Sequence, residues 1–220
     1  MFQLSPSLSA GSLLNLGEML ERCSGLGHIH LDIDDGNFVH GITFGMDTVR
    51  VVAENTEVPL DIHLEVLNPM DYVKPICELG ISAACANVEA LAFPSEFLSA
   101  LKAGGCPKRG LAINLATPVE ILSYYADQLD YVLFVSVEAD SDGLPFRPMT
   151  LAKVRAAREF LPANVEIWVD GGINASNLKD VVSAGADGVV VGRAVFGADD
   201  PVTAYERLVE LGESYRKECR

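Results

Sequence analysis

The chain has 220 residues, 49% of them hydrophobic, and a formal net charge of −15. So much apolar material excludes a disordered tail protein, and the charge excludes a protein built to coat nucleic acid or an anionic membrane. The aromatic residues are scattered and form no stacking platform for bases. Five cysteines, Cys23, Cys77, Cys85, Cys106 and Cys219, make no CxxC pair, which points to reduced thiols. No secretory signal pattern or membrane-length apolar run is present, so the plain expectation is a cytoplasmic protein without membrane or nucleic-acid partners.

Along the chain, β-branched runs alternate with amphipathic ones. QLSPSLS (3–9) reads as a strand and LLNLGEMLERC (13–23) as a helix. HIHLDID (28–34) and MDTVRVVAENT (46–56) follow, then LDIHLEV (60–66) and MDYVKPICELG (70–80). AACANVEA (83–90) precedes PSEFLSALKAGG (94–105), and RGLAINL (109–115) precedes PVEILSYYADQL (118–129). YVLFVSV (131–137) pairs with TLAKVRAAREFL (150–161), EIWVDGG (166–172) with ASNLKDVVSAG (175–185), and GVVVGRA (188–194) with PVTAYERLVELGESYRK (201–217). Several helices follow Ser, Thr, Asp or Asn and end in Gly, as capping predicts. Eight strands alternating with eight helices predict an α/β fold, a (β/α)8 TIM barrel, with residues 1–220 as a single domain. An open doubly wound sheet competes, but no GxGxxG follows the first strand, and distinctive residues cluster at the C-terminal strand ends, where barrels carry their sites.

Four such residues are His30, Asp32, His63 and Asp170. Positions 30 and 32 share one face of a strand. Two imidazoles and two carboxylates converging from three strands can hold a divalent metal, or move protons beside a carbonyl. Singly they have blander readings: core histidines, an acidic turn at Asp32, Asp34 and Asp35, and turn chemistry before Gly171 and Gly172. Jointly those readings strain, because burying aspartates in β-branched strands is costly without a purpose.

SPSLSA, HIHLDIDDGNFVHGITFG, LDIHLEVLNP, NVEA, LAINLATP, VDGGIN and GADGVVVGRAVF occur in this order between about residues 5 and 197. This series resembles the ribulose-phosphate 3-epimerases and the related allulose-phosphate epimerases. The resemblance implies a (β/α)8 barrel with one divalent ion (Zn, Mn or Fe) held by His30, Asp32, His63 and Asp170. Asp32 and Asp170 would be the catalytic acid/base pair, one on each face of the substrate. Ser7, His63, Gly171, Gly172 and Gly192 would bind the sugar phosphate; Arg193, in place of a small residue, either adds a charge-assisted contact to it or turns outward to a salt bridge, and Asn114 and Thr117 are further polar candidates. The implied function is a metal-dependent ketose-phosphate 3-epimerase of pentose phosphate metabolism, interconverting D-ribulose 5-phosphate and D-xylulose 5-phosphate through a cis-enediolate. An epimerase of allulose 6-phosphate or an unphosphorylated ketose, or a non-catalytic sugar-phosphate-binding relative, is the alternative. A lyase of the wider phosphate-binding barrels would want a lysine near the strand-two or strand-three acids, and none is there. Relatives also imply a homo-oligomer.

The chain departs from the resemblance in three further places. The strand-six loop reads EADSDGLP (138–145), with Glu138, Asp140 and Asp142 and a single Gly143, instead of a glycine-rich phosphate cradle. Asp34, Glu65 and Val135 stand where the family has methionines. Asn87 stands where it has histidine. The two acids are expected either to reshape the site or to face solvent and pair with Arg193 or a lysine.

Overall fold

A computed structural model describes residues 2–138 and 145–219. The strand-six loop, with Asp140, Asp142 and Gly143, therefore lies almost wholly outside the described residues. Eight strands run as β1 Gln3–Pro6, β2 Ile29–Asp34, β3 Leu60–Glu65, β4 Ala83–Asn87, β5 Lys108–Ile113, β6 Tyr131–Val135, β7 Glu166–Asp170 and β8 Gly188–Val191. All neighbouring pairs are parallel, in the order β1-β8-β7-β6-β5-β4-β3-β2. A parallel bridge between Ser7 and His30 brings β1 to β2 and completes the cylinder. This is the expected barrel, not the open sheet.

The helices are α1 Leu16–Arg22, α2 Met46–Glu54, α3 Met70–Glu78, α4 Pro94–Ala103, α5 Thr150–Phe160, α6 Leu178–Ser183, the short α7 Arg193–Phe196, and α8 Pro201–Glu218. No helix among the described residues is long and apolar enough to cross a membrane. Two predicted helices come out differently. Residues 118–129 form only a 3-10 turn, Val119–Tyr124, whose buried Val119 and Leu122 recur at the three-residue spacing that winding favours. In 175–185 the helix waits until Leu178, because Asn174 and Asn177 bond local backbone amides first. Capping is also sparser than the sequence suggests: among the described residues only α8 has a side-chain cap, Asp200 accepting from Val202 N at 3.1 Å.

Strand alternation sorts the apolar residues into two cores. One lies between sheet and helices and contains Ile29, Leu31, Ile33, Ile62, Leu64, Val132, Phe134, Ile167, Val169, Val189 and Val191. The other fills the cylinder with Ala83, Cys85, Ala112, Tyr131, Leu133, Trp168 and Val190. Its large rings fit because the next strands offer glycine: a Cβ on Gly110 would sit 2.7 Å from the Tyr131 ring, and one on Gly188 2.7 Å from Trp168. The barrel is thus solid below, and polar side chains collect at its C-terminal mouth.

Candidate metal centre and active site

Register assembles the site. β2 and β3 pair His30 with Asp61, Asp32 with His63 and Asp34 with Glu65, and alternation turns all six inward. β7 contributes Asp170, beside Val135 of β6. One donor atom from each of His30, Asp32, His63 and Asp170 lies within 4.8 Å of all the others. The structure therefore brings the predicted quartet together.

Each imidazole is held from behind. His30 Nδ1 bonds the Asp61 carboxylate, itself bonded by Ser5, while His30 Nε2 lies 3.0 Å from Asp32 Oδ1. His63 Nε2 lies 2.7 Å from Asn87 Oδ1. His63 Nδ1 is buried without a hydrogen-bond partner, 3.7 Å from Asp32 Oδ1. Leaving such a group unsatisfied costs about 1–3 kcal/mol. A divalent ion would remove that cost, and distal nitrogens anchored by a carboxylate and an amide are the usual support of metal-binding histidines. The residues fit a divalent ion with a mixed nitrogen and oxygen shell.

The carboxyls differ sharply in their surroundings. Burial works against charge on Asp32, but His30 and His63 hold it well below the usual carboxylate range, and Ser7 and Ser9 donate to its Oδ2 at 2.7 and 3.0 Å. Burial also works against charge on His30, yet Asp32 and Asp61 lift it well above the ordinary imidazole range. His63, similarly buried, is lifted to about 9, chiefly by Glu65. Burial and the charge of Asp32 push Asp170 up to about 7. Asp34 rises to about 8 through burial and its neighbours Glu65 and Asp32, and burial raises Glu65 as well. Both acids are half-buried, and among the described residues neither makes the pair with Arg193 or a lysine that one reading of the sequence expected; Asp34 Oδ1 is buried without a hydrogen-bond partner. They form a polar floor beside the quartet instead. Val135 keeps the third position apolar and is 5% exposed.

A cleft of about 530 Å³ opens at the quartet, lined by Ser7, Ser9, Asp32, Asp170, Gly172, Asn174, Gly192 and Arg193 among others; Asp34 and Glu65 lie outside its lining. His63 and Gly171 are not on its wall; His63 is fully buried. Gly171 and Gly172 take φ of 103° and 67°. A Cβ on either would come within 2.7 Å of Val137 or Phe146 respectively, so conformation and space both require glycine. Ser136 pins this turn by donating to the carbonyls of Asp170 and Gly171. Asn114 meets Asn87 rather than the cleft, and Thr117 bonds Glu89. Ser9, Asp61 and Ser136 were not anticipated. Asp61 had a signal, since it stands two residues from His63 on the same strand face, whereas Ser9 lies in a 3-10 turn, Leu8–Ala10, because β1 ends at Pro6 and not at residue 9 as expected.

Fold and site together define a class: a (β/α)8-barrel enzyme with a candidate metal centre at the C-terminal strand ends. A model of the Ribulose-phosphate 3 epimerase family matches residues 3–196. Ribulose-phosphate 3-epimerase of Mycobacterium tuberculosis is 33% identical over 208 residues, covering 93% of this chain and 90% of that protein. The cytoplasmic isoform of Oryza sativa subsp. japonica is 34% identical over 217 residues, covering 94% of each. The chain belongs to the ribulose-phosphate 3-epimerase family, and so to the isomerases that epimerise carbohydrates. Solved barrels share the fold at lower identity. Orotidine 5'-phosphate decarboxylase from Pyrococcus horikoshii OT3 aligns with a TM-score of 0.70 at 16% identity, over 96% of this chain and 99% of that one. A tryptophan synthase alpha-subunit from Pyrococcus furiosus gives 0.65 at 22%, over 99% and 97%.

Proposed function

We propose that this protein is a metal-dependent ketose-phosphate 3-epimerase that interconverts D-ribulose 5-phosphate and D-xylulose 5-phosphate. One observation carries the reading: Asp32 and Asp170 line the same cleft as members of a quartet whose ligand atoms all lie within 4.8 Å of one another, and their surroundings drive the two proton affinities apart. Such a divergent pair is how a site assigns a base and an acid. Asp32, ionised and oriented by Ser7 and Ser9, takes the proton from carbon 3 on one face. Asp170, whose proton affinity is raised by burial and by the charge of Asp32, delivers a proton to the other, and the roles exchange in the reverse direction. His30, Asp32, His63 and Asp170 would hold Zn²⁺, Mn²⁺ or Fe²⁺, and the bound ion would supply Lewis-acid stabilisation of the charge that develops on the substrate's enediolate oxygens.

Gly172, Gly192 and Arg193 on the opposite wall suit a phosphate dianion, through backbone amides and one guanidinium. The chain is proposed to act as a single domain within a homo-oligomer, in the cytoplasm like the rice relative. A second reading, an epimerase for another ketose, is favoured by the two acids Asp34 and Glu65, which make the surroundings of the quartet polar where the family has methionines.

Deuterium incorporation at carbon 3 in D₂O tests the proposal, with ribulose 5-phosphate, allulose 6-phosphate and free ketoses compared with and without divalent ion. Ion-dependent exchange, fastest with ribulose 5-phosphate and reduced about 10²–10⁴-fold in Asp32→Asn, is expected. A fully active Asp32→Asn enzyme overturns the mechanism. Faster exchange on another ketose overturns the substrate, and no exchange on any of them leaves a binding protein.

A further inference from the structure

We infer that Asn87 is the positioning residue that decides which nitrogen His63 presents to the metal centre, acting as a neutral counterpart to Asp61 behind His30. The inference rests on the metal reading proposed above. Asn87 ends β4 and is 0% exposed. Its amide meets a polar group at each end: Nδ2 donates to Asn114 Oδ1 at 3.0 Å, and Oδ1 lies 2.7 Å from His63 Nε2. A carboxamide has one donor end and one acceptor end. With the donor end engaged by Asn114, the imidazole faces an acceptor, so Nε2 carries a proton. The lone pair of neutral His63 then sits on Nδ1, the nitrogen that has no hydrogen-bond partner and faces Asp32 Oδ1 at 3.7 Å. Without an ion a proton on Nδ1 can occupy the space between them, and a divalent ion in its place turns both groups into ligands.

Asn114 is itself anchored. Its backbone N–H donates to Glu89 Oε1 at 2.9 Å, and its carbonyl accepts from Lys153 Nζ of α5 at 2.6 Å. A polar relay thus runs from α5 through Asn114 and Asn87 to His63. His30 is oriented the other way round: its Nδ1 is bonded to Asp61, so Nε2 faces the site. The two imidazoles would therefore bind an ion through different nitrogens, one backed by a charge and one by an amide. Outer partners of this kind tune ligand basicity as well as direction.

Zn²⁺ affinity by chelator competition, with ¹⁵N spectra of the histidine-labelled, Zn²⁺-loaded protein, tests the inference, and the chain has only 4 histidines to assign. Wild type is expected to show His63 coordinated through Nδ1 and protonated at Nε2, and His30 the reverse. Asn87→Leu, which keeps the bulk but removes the acceptor, should bind Zn²⁺ about 10–100-fold more weakly with an unchanged circular dichroism spectrum. Asn87→Asp, which restores an acceptor, should rescue binding. Wild-type affinity in a folded Asn87→Leu, or His63 coordinated through Nε2, overturns the role of Asn87 and leaves the metal reading intact. If Asn87→Leu does not fold, the nitrogen assignment in wild type decides alone. A wild-type protein that takes up no Zn²⁺, Mn²⁺ or Fe²⁺ overturns the metal reading, and the inference with it.

Discussion

The mouth of the barrel has two unlike walls. From β1 to β4 it is made of side chains: serines, imidazoles and carboxylates locked to one another, with negative charge concentrated around a small space. From β7 to β8 it is made mostly of backbone, with glycines at positive φ and one exposed arginine. The first wall suits a cation and a base, the second an anion. The difference shows how a protein of net charge −15 can still offer a phosphate a favourable place. Side chains set the charge of the molecule, whereas local amide dipoles set the charge seen at one turn.

Perturbing each wall separately should give separable results. The largest effect is expected from His63→Ala, which removes a donor from the first wall. Carbon-3 exchange should fall by two or more powers of ten on every ketose tested, phosphorylated or free, together with bound metal measured by elemental analysis. Arg193→Ala acts on the second wall and should raise KM for the phosphorylated ketose about tenfold, with kcat nearly constant and the free ketose untouched. An equal loss on both substrates would show that the walls do not divide the work. Gly171→Ala should lower stability by about 1–3 kcal/mol in thermal unfolding, since its φ of 103° and the 2.7 Å approach of Val137 both resist a side chain.

The smallest effect concerns pH. Asp170 and Asp34 have folded pKa values of about 7 and about 8, raised above the ordinary 3.8. A raised acid favours the protonated fold, so its stabilisation is complete below the unfolded pKa and is lost as pH rises through the folded value. Metal-stripped protein should therefore weaken between about pH 4 and pH 8 in urea titrations. Asp34→Asn should flatten the upper part of that decline by on the order of 1 kcal/mol, discounted because the carboxyl is only partly buried.

Much of the metal centre was legible beforehand. His30, Asp32, His63 and Asp170 sit in β-branched strands where charged groups are conspicuous, and period-two alternation fixes which of them share a face. What joins neighbouring strands was not legible. The pairing of Asp34 with Glu65, the support of His63 by Asn87 and of His30 by Asp61, depend on register, which local patterns do not carry. Glycine turns are visible as residues, but which of them reach the cleft depends on how the turn folds, so Gly172 lines it and Gly171 does not. The 118–129 segment failed for a different reason: its apolar spacing fits both a short 3-10 turn and a longer α-helix.

The bridge between Ser7 and His30 places the seam of the cylinder at the site itself. Elsewhere neighbouring strands share ladders, whereas β1 and β2 meet at this one described bridge, reinforced by Ser7 and Ser9 on Asp32. A ligand gripping His30 and Asp32 therefore also works as a clasp on the staves. Amide hydrogen exchange along β1 and β2 should slow when the centre is loaded, more than along β4 to β6. Filling the site and shutting the barrel would then be one event.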